Sequence, residues 1–217
     1  GEKICVVMGD VTGHGLAQGL VTTAVKGALD VLSVLAKGPN RAELYNPAAI
    51  ISYLERVVER VADRTKLTMT CLAAEIDFRA NTLRVCNAGH TFPILIRNVG
   101  DTIEVDYLHN NQQPMLGKIS NIRSDHLYVD SKYELKPGDL LLVYTDGLSE
   151  AKSLNSRVFS RFLMRSLKRA DRFTSASELR DEILQMFAYY TQGSIVDDDV
   201  CFLVVQMPSL NLCRASA

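Results

Sequence analysis

The chain has 217 residues, of which 47% are hydrophobic, and its 24 Lys and Arg residues nearly balance 25 Asp and Glu residues, leaving a formal charge of −1. This length suffices for one sizeable hydrophobic core, so we expect a single domain over residues 1–217. The balanced charge argues against a nucleic-acid partner, which requires a clustered basic excess. No uninterrupted apolar run approaches the roughly 18 residues that span a membrane, so we expect no direct membrane contact and a cytoplasmic location.

The cysteines point to the same compartment. None of them forms a C-x-x-C pair, and four lie inside apolar runs, which predicts buried, reduced thiols in a cytosolic domain. The five are Cys5, Cys71, Cys86, Cys201 and Cys213.

The first part of the chain reads as a strand followed by two helices. A β-rich run covers residues 3–10 and ends in Asp10. Apolar and small residues then recur at intervals of three and four over Gly13–Leu35, which predicts a helix that ends at Gly38-Pro39-Asn40. A second, amphipathic helix is predicted over Pro47–Arg64. Close packing of the first helix is expected through its small residues, Gly19, Ala24, Gly27 and Ala28.

The middle and last parts of the chain are predicted to be strands and then helices. The predicted strands are 68–77 and 82–87, which form a hairpin, then 93–96, 105–107, 127–133 and 140–144. Helices are expected at 156–168 and 177–191, the second with Ser177 as its N-cap, before a last strand at 200–205. Helix pairs on either side of a block of mostly antiparallel strands indicate an α+β fold.

Three acidic positions share one context, because Asp10, Asp146 and the cluster Asp197–Asp199 each lie at the edge of an apolar strand. Crowded carboxylates raise one another's pKa, and a divalent cation removes that cost. Oxygen ligands suit Mg²⁺ or Mn²⁺, and a pair of such ions activates a water and clamps a phosphoryl group. The alternative is that each aspartate is a turn residue or a helix N-cap, since spacing does not prove that distant acids converge.

The glycine-rich segment GDVTGHG (9–15) does not decide between these alternatives. It lacks the G-x-x-x-x-G-K-[ST] pattern of a P-loop and the G-x-G-x-x-G pattern of a dinucleotide site. No order of Ser, His and Asp or of Cys and His points to nucleophilic catalysis either.

Four segments taken together are far more specific: GDVTGHG (9–15), NAGHTFP (87–93), PGDLLLVYTDGLSEA (137–151) and DDDVCFLVV (197–205). In this order they strongly resemble the metal-dependent (PPM, type 2C) protein serine/threonine phosphatases. The match is to the bacterial branch with the stage II sporulation phosphatase and the stress-response sigma-factor regulators. The resemblance implies a four-layer α-β-β-α sandwich, in which helix pairs flank two central, mainly antiparallel sheets, and a centre of two Mn²⁺ or Mg²⁺ ions.

The resemblance also implies roles for particular residues. Asp10, Asp146 and Asp198 are implied as catalytic through a metal-activated water, with Asp10 as the carboxylate that bridges the metals. The backbone carbonyl of Val11 is implied at the second metal, and Asp146 and Asp198 at the first. Asp199 stays an alternative to Asp198, because the third acid of the cluster leaves the register open.

Three further residues in these motifs are expected to have structural roles and not to bind metal. Gly147 is expected to permit close backbone passage beside the metal. His14 is expected to be a bystander at the start of the first helix. His90 is expected to bond the backbone at a junction between strand and turn.

At the level of function, the resemblance implies dephosphorylation of phosphoserine or phosphothreonine on an anti-sigma-factor antagonist in a bacterial partner-switching pathway. Two hypotheses compete with it: a weak or inactive pseudophosphatase that acts as a binding module, and a hydrolase of small phosphate esters. The family carries an acidic G-G-D segment on a preceding strand. We therefore expect a fragment that lacks the first strand or strands and an upstream sensor module, where a membrane anchor of the parent protein would also lie. The first two helices are implied as a switch element and a homodimer surface.

Overall fold

The computed structural model describes residues 3–13, 15–36, 46–62, 67–100, 102–109, 112–117 and 128–208. It divides into two compact units, of which the first comprises residues 1–90 and 109–134 and the second residues 91–108 and 135–217. The strands are β1 (Lys3–Val11), β2 (Met69–Asp77), β3 (Thr82–Ala88), β4 (Ile94–Val99), β5 (Thr102–Tyr107), β6 (Gln112–Gln113), β7 (Ser131–Glu134), β8 (Leu140–Tyr144) and β9 (Phe202–Gln206). The helices are α1 (Leu16–Leu35), α2 (Pro47–Ala62), α3 (Asp146–Glu150), α4 (Phe159–Leu167) and α5 (Ala176–Thr191).

The first unit contains a sheet in the order β1-β2-β3-β6, with β7 also paired to β3. Its described pairs are antiparallel except for the two-residue parallel pair of β3 and β6. The β2–β3 hairpin turns through Asn81 at a φ of 52°. The Asp77 carboxylate accepts hydrogen bonds from the backbone N–H groups of Arg79 at 3.0 Å and Ala80 at 2.8 Å. This turn fixes the register of β2 against β3, and β2 in turn pairs with β1, which carries Asp10.

Helices α1 and α2 pack on each other in this unit, and α2 also packs on β2 and β3. The inward face of α2 is apolar and includes Ile50, Ile51, Leu54 and Val58. Only Val21 and Val25 of α1 are buried. Helix α1 begins at Leu16 and not at the predicted Gly13, because the chain takes positive φ values of 84° at Gly13 and 113° at Gly15. The predicted helix end at 38–40 and the end of the second predicted helix at 63–64 lie outside the described residues.

The outward face of α1 corrects the expectation of close packing for the two glycines, whereas Ala28 packs against the core of this unit as expected. Gly19 and Gly27 are exposed, and a Cβ atom added to either would meet no heavy atom within 4 Å. The same helix exposes large apolar side chains: Leu16, Leu20, Val31, Val34 and Leu35. Among the described helices, α1 is the one long and apolar enough by length and composition to cross a membrane, although core helices and signal sequences pass the same test.

The second unit contains a four-stranded antiparallel sheet in the order β5-β4-β8-β9. All five residues of β8 are buried, since the strand lies between β4 and β9. Helix α4 packs on β5 and α5, and α5 packs on β9. Helix α3 was not anticipated from the sequence, and it begins directly after β8 at Asp146.

Element ends in the second unit differ from the predictions for local reasons. The N-cap of α5 is Ser175 and not the predicted Ser177, because the Ser175 hydroxyl accepts a hydrogen bond from the backbone N–H of Glu178 at 3.1 Å. Helix α4 begins three residues after the predicted Ser156, which has a left-handed φ of 56°. Strand β4 begins after Pro93, which has no backbone N–H to donate to the ladder.

Candidate metal centre

Asp10 is the penultimate residue of β1, in the first unit, and lies opposite Thr70 of β2. Asp10 is half-buried, and the Thr70 hydroxyl lies 3.5 Å from the backbone carbonyl oxygen of Asp10. A Cβ atom at the preceding Gly9 would lie 2.6 Å from the Thr70 carbonyl oxygen, so only glycine allows this close pairing. Val11 ends the strand. The β1–β2 pairing therefore holds both Asp10 and the Val11 carbonyl at one end of this sheet.

The chain turns from β1 into α1 directly after these residues. The backbone N–H and the hydroxyl of Thr12 both donate to the Thr68 carbonyl, at 2.9 and 3.1 Å. The Gln18 side-chain amide donates to the Thr12 carbonyl at 3.3 Å. With Gly13 and Gly15 at positive φ, the glycines of the GDVTGHG segment shape a turn from strand to helix. His14 lies outside the described residues, so its expected role stays a prediction.

His90, two residues after the end of β3, lies at the same end of the sheet. It is buried, its backbone N–H donates to the Asn87 side-chain oxygen at 2.7 Å, and its carbonyl accepts from the Asn87 amide at 3.0 Å. The ring Nδ1 lies 2.9 Å from the Thr70 hydroxyl. The backbone of His90 thus bonds the Asn87 side chain, while its ring contacts a threonine side chain; a bond from the ring to backbone stays a prediction. Sequence reasoning missed Thr70, which connects this histidine to the strand position opposite Asp10.

Asp146 lies in the second unit, where the buried strand β8 gives way to α3. Its carboxylate accepts a hydrogen bond from the backbone N–H of Gly147 at 3.1 Å, and its carbonyl accepts from the Ser149 hydroxyl at 3.2 Å. The Thr91 hydroxyl donates to the carbonyl of Tyr144 at the end of β8. These bonds fix the backbone on both sides of the carboxylate.

The segment that carries the acidic cluster Asp197–Asp199 passes directly beside the backbone of Gly147. A Cβ atom at Gly147 would lie 2.3 Å from the Asp199 carbonyl oxygen, so the close backbone passage expected there is confirmed. Thr145 binds the same segment: its hydroxyl donates to the Asp199 carbonyl at 3.1 Å and accepts from the Cys201 N–H at 3.0 Å. Its backbone N–H donates to the Cys201 carbonyl at 2.9 Å. The second unit thus holds the residue after Asp146 against the acidic cluster.

A groove of about 310 Å³ opens beside this contact, between residues 147–152 and 195–198. Asp197 and Asp198 both line the groove, whereas Asp199 does not. The Asp198 carboxylate accepts a hydrogen bond from the Asp199 backbone N–H at 2.8 Å. The choice between Asp198 and Asp199 as metal ligand stays a prediction.

The donor atoms at these positions fit a hard divalent cation. They are carboxylate and backbone carbonyl oxygens, which Mg²⁺ and Mn²⁺ prefer. The cysteines of the first unit offer no competing thiolate, because burial raises the pKa of Cys5 and Cys86 to about 12 and raises that of Cys71 as well. Mg²⁺ or Mn²⁺ is therefore the class of ion that this donor set would select.

Comparison with known families settles the relationship that the four segments suggested. A family model described as stage II sporulation protein E (SpoIIE) matches residues 1–208. The chain belongs to the SpoIIE family. This family is of the PPM or PP2C type of protein serine/threonine phosphatase, in the RsbU- and SpoIIE-like branch of sigma-factor signalling, so the predicted membership is confirmed.

Curated relatives match only part of their own length. Protein IcfG from Synechocystis is 28% identical over 130 residues, which are 60% of this chain and 19% of IcfG. The phosphoserine phosphatase RsbU from Bacillus subtilis is 24% identical over 154 residues, which are 71% of this chain and 41% of RsbU. The chain therefore spans less than half the length of either relative.

Solved structures show the fold. The structure of the RsbU and RsbW domains of Rv1364c from Mycobacterium tuberculosis has a TM-score of 0.70 at 23% identity, covering 96% of this chain and 54% of that chain. The chain has the PP2C-type α+β fold with two antiparallel sheets and helices, which confirms the predicted class. RsbX was solved in complex with magnesium; its structure has a TM-score of 0.60 at 18% identity, covering 95% of this chain and 82% of that chain. The catalytic domain of PstP was solved with two manganese ions; its structure has a TM-score of 0.61 at 14% identity, covering 96% of this chain and 92% of that chain. Structures similar to this chain thus bind Mg²⁺ or Mn²⁺.

Proposed function

We propose that this chain is the catalytic domain of a metal-dependent phosphatase that acts on phosphoserine or phosphothreonine in a protein. The observation that carries the proposal is the SpoIIE family match over residues 1–208 in a chain that retains an acid at each of the three implied positions. Each of these acids also lies at or beside the end of a core strand, namely β1, β8 or β9.

Asp10, Asp146 and Asp198 are the proposed catalytic ligands, and the Val11 carbonyl is the proposed fourth donor. When bound, the two metal ions supply an activated water and positive charge for the phosphoryl oxygens. Asp10 and the Val11 carbonyl would offer donors to the ions from the end of β1, and Asp146 and Asp198 would offer carboxylates from beside β8 and β9. The backbone near these acids is held by contacts within the chain: Asp10 lies in the paired strand β1, Asp146 begins α3, and Asp199, next to Asp198, accepts a hydrogen bond from Thr145.

Asp146→Ala and Asp10→Ala are the primary test. Each is expected to lower manganese-dependent hydrolysis of p-nitrophenyl phosphate by roughly 100-fold or more, because loss of a ligand weakens metal binding and removes the activated water. Titration calorimetry with Mn²⁺ gives a readout of metal binding that does not depend on turnover. Full activity in Asp146→Ala, or hydrolysis that needs no metal, would falsify the proposal.

The acidic cluster provides matched controls of equal charge. Asp198→Asn is expected to weaken Mn²⁺ binding more than about tenfold. Asp197→Asn and Asp199→Asn are expected to change it less than about twofold, as general electrostatics alone would. A larger loss in Asp199→Asn than in Asp198→Asn would instead assign the ligand to Asp199.

The proposed substrate is a phosphorylated protein of the anti-sigma-factor-antagonist type. Two similarities support this class: RsbU is described as a phosphoserine phosphatase, and the Rv1364c structure combines RsbU and RsbW domains. Phosphate release from such a phosphoprotein is expected to exceed that from p-nitrophenyl phosphate at equal concentration. Equal efficiency on both would favour a small-ester hydrolase, and tight phosphoprotein binding without turnover would favour the pseudophosphatase.

Four statements about the whole protein remain proposals that rest on the family. They are the four-layer α-β-β-α stacking, the single domain over residues 1–217, the cytoplasmic location and a homodimer through the first two helices. The exposed apolar face of α1 supports the homodimer. The regulatory role of the same helices is supported by the contacts that α2 makes through Glu55.

A further inference from the structure

A basic groove of about 540 Å³ lies in the second unit, where α4 begins beside the end of α5. Three arginines line it, Arg157, Arg161 and Arg165, and all three are exposed. Over residues 157–172 the chain carries six Lys and Arg residues and a single acid, Asp171. The balanced net charge of the whole chain therefore conceals a strongly basic surface.

Arg161 and Arg165 are one turn apart on α4, so their side chains lie on the same side of the helix about 6 Å apart along its axis, and Arg157 lines the same groove from the segment before the helix. Within residues 128–208 none of the three forms an ion pair. Like charges at this spacing repel one another on a helix. An extended anion that met all three would relieve that repulsion.

Their position relative to the helix is also unfavourable without an anion. Arg157 precedes α4 and Arg161 lies in its first turn, which contains no acidic residue. The N-terminus of a helix carries partial positive charge and normally attracts carboxylates. Val158, at the N-cap, offers no side-chain hydrogen bond there. Arg157, Arg161 and the positive N-terminus of α4 thus meet in the groove, and no acidic residue of the first turn of α4 balances them.

The groove is rigid and partly apolar. The Tyr190 hydroxyl lies 2.9 Å from the Arg157 carbonyl and 3.1 Å from the Val158 carbonyl, which ties α5 to the start of α4. The rings of Phe162 and Tyr190 pack with centroids 4.9 Å apart. Because these rings pack against each other, the groove suits apolar side chains of a peptide better than the stacked bases of a nucleic acid.

We infer that this groove, lined by Arg157, Arg161 and Arg165, docks an acidic segment of a partner protein that carries an apolar side chain between runs of carboxylates. The planar guanidinium groups pair bidentately with carboxylates, and arginine and tyrosine are the residue types that dominate protein interfaces. The groove uses none of the proposed metal ligands, so the inference stands whether or not the chain is an active phosphatase.

Fluorescence anisotropy with the 217-residue protein tests the inference. The probe is a fluorescein-labelled 12-residue peptide with repeats of two glutamates, a leucine and an aspartate, and its control replaces the acids by their amides. The acidic peptide is expected to bind with 1:1 stoichiometry, and the amide peptide at least tenfold more weakly. Arg161→Gln with Arg165→Gln is expected to weaken binding of the acidic peptide at least tenfold.

The matched control is Lys168→Gln with Arg169→Gln, which removes the same charge from exposed neighbours that do not line the groove. This variant is expected to bind within twofold of the unaltered chain, and thermal melts check that both variants fold. Equal losses in the two double variants would overturn the inference in favour of unspecific attraction. Tighter binding of a 12-nucleotide RNA, or displacement of the peptide by millimolar inorganic phosphate, would overturn it in favour of a nucleic acid or a single-anion site.

Discussion

Ser175 and Glu178 stabilise the start of α5 through hydrogen bonds on either side of the N-cap. The Ser175 hydroxyl accepts from the Glu178 backbone N–H, while the Glu178 carboxylate accepts from the backbone N–H of Thr174 at 2.7 Å. These bonds satisfy N–H groups that a helix start leaves without partners. The two hydrogen bonds from Thr174 lower the pKa of Glu178 below its ordinary value of 4.5.

Ser175→Ala is expected to lower the free energy of unfolding by about 1 kcal/mol, the usual contribution of a serine N-cap. The matched control is Ser177→Ala, which changes the serine that the sequence analysis assigned as N-cap and should leave stability nearly unchanged. Because the pKa of Glu178 is lowered on folding, its contribution is present above about pH 4.5 and is lost as the pH falls through the lowered value. Urea unfolding at pH 7 and pH 3 measures both effects. A larger loss in Ser177→Ala would contradict the assignment.

Single residues also show why the sequence alone identified the acidic residues but not the residues that hydrogen-bond the backbone beside them. Asp10, Asp146 and Asp198 lie next to apolar strands, so the pattern of the chain marks them. Thr145 gives no such signal, because its partners are 54 to 56 residues away at Asp199 and Cys201. Cys201 shows the reverse error: it lies in an apolar run and is nevertheless exposed, since the run leads into β9 at the edge of its sheet.

Helix α2 is connected through contacts within the first unit to β1, the strand that carries the proposed metal ligands Asp10 and Val11. A regulatory helix requires such a connection. Its buried Glu55 accepts from the backbone N–H of Gly117 at 2.9 Å and from the Tyr128 hydroxyl at 3.2 Å. Leu116, the residue before Gly117, exchanges two backbone hydrogen bonds with Met69. Met69 in turn lies opposite Val11, the proposed carbonyl ligand. A path of contacts thus runs from α2 to the end of β1 within the first unit, through the Glu55 hydrogen bonds, the bridge of Leu116 with Met69 and the pairing of β2 with β1.

Glu55→Gln is expected to weaken Mn²⁺ binding by roughly three- to tenfold without altering any ligand, because it removes the charge that holds the segment at Gly117. Calorimetric titration with Mn²⁺ measures the change. The control is Glu59→Gln, one turn further along α2 at an exposed position. Equal affinities in the two variants and the unaltered chain would count against a regulatory role for α2.

The periodicity of the sequence located the long elements and missed the short ones. Strands β2, β3 and β8 and helix α2 follow regular patterns, so their predicted positions agree with the structure to within about two residues. Helix α3 and the two-residue strand β6 are too short to produce a pattern. The start of α1 was placed too early because positive φ at Gly13 and Gly15 leaves no trace in the spacing of apolar residues.

For the whole molecule, α1 presents a surface that the described part of the chain does not cover. We define the α1 stripe as Leu16, Leu20, Thr23, Gly27, Val31 and Val34, all of them exposed. Their spacing of three and four residues places them on one side of the helix. Gly27 at the centre of the stripe leaves room for close approach of a second helix. This pattern resembles the seam of a helix pair, and it supports a homodimer in which the α1 helices of two copies meet.

Val31→Glu with Val34→Glu is expected to raise the dimer dissociation constant by roughly 100-fold or more, because four carboxylates per dimer would be buried without partners. Light scattering coupled to size-exclusion chromatography measures the shift at protein concentrations from about 1 to 100 μM, a range that covers a micromolar dissociation constant. The control, Thr22→Glu with Ser33→Glu, adds the same charge to exposed positions of α1 outside the stripe and should leave the dimer intact. A chain that is monomeric throughout would refute the dimer, and if it then binds lipid vesicles through the stripe, a membrane is the occupant. Because the proposed metal ligands are remote from these substitutions in sequence, metal-dependent turnover of the monomeric variant would show how far assembly and catalysis are coupled.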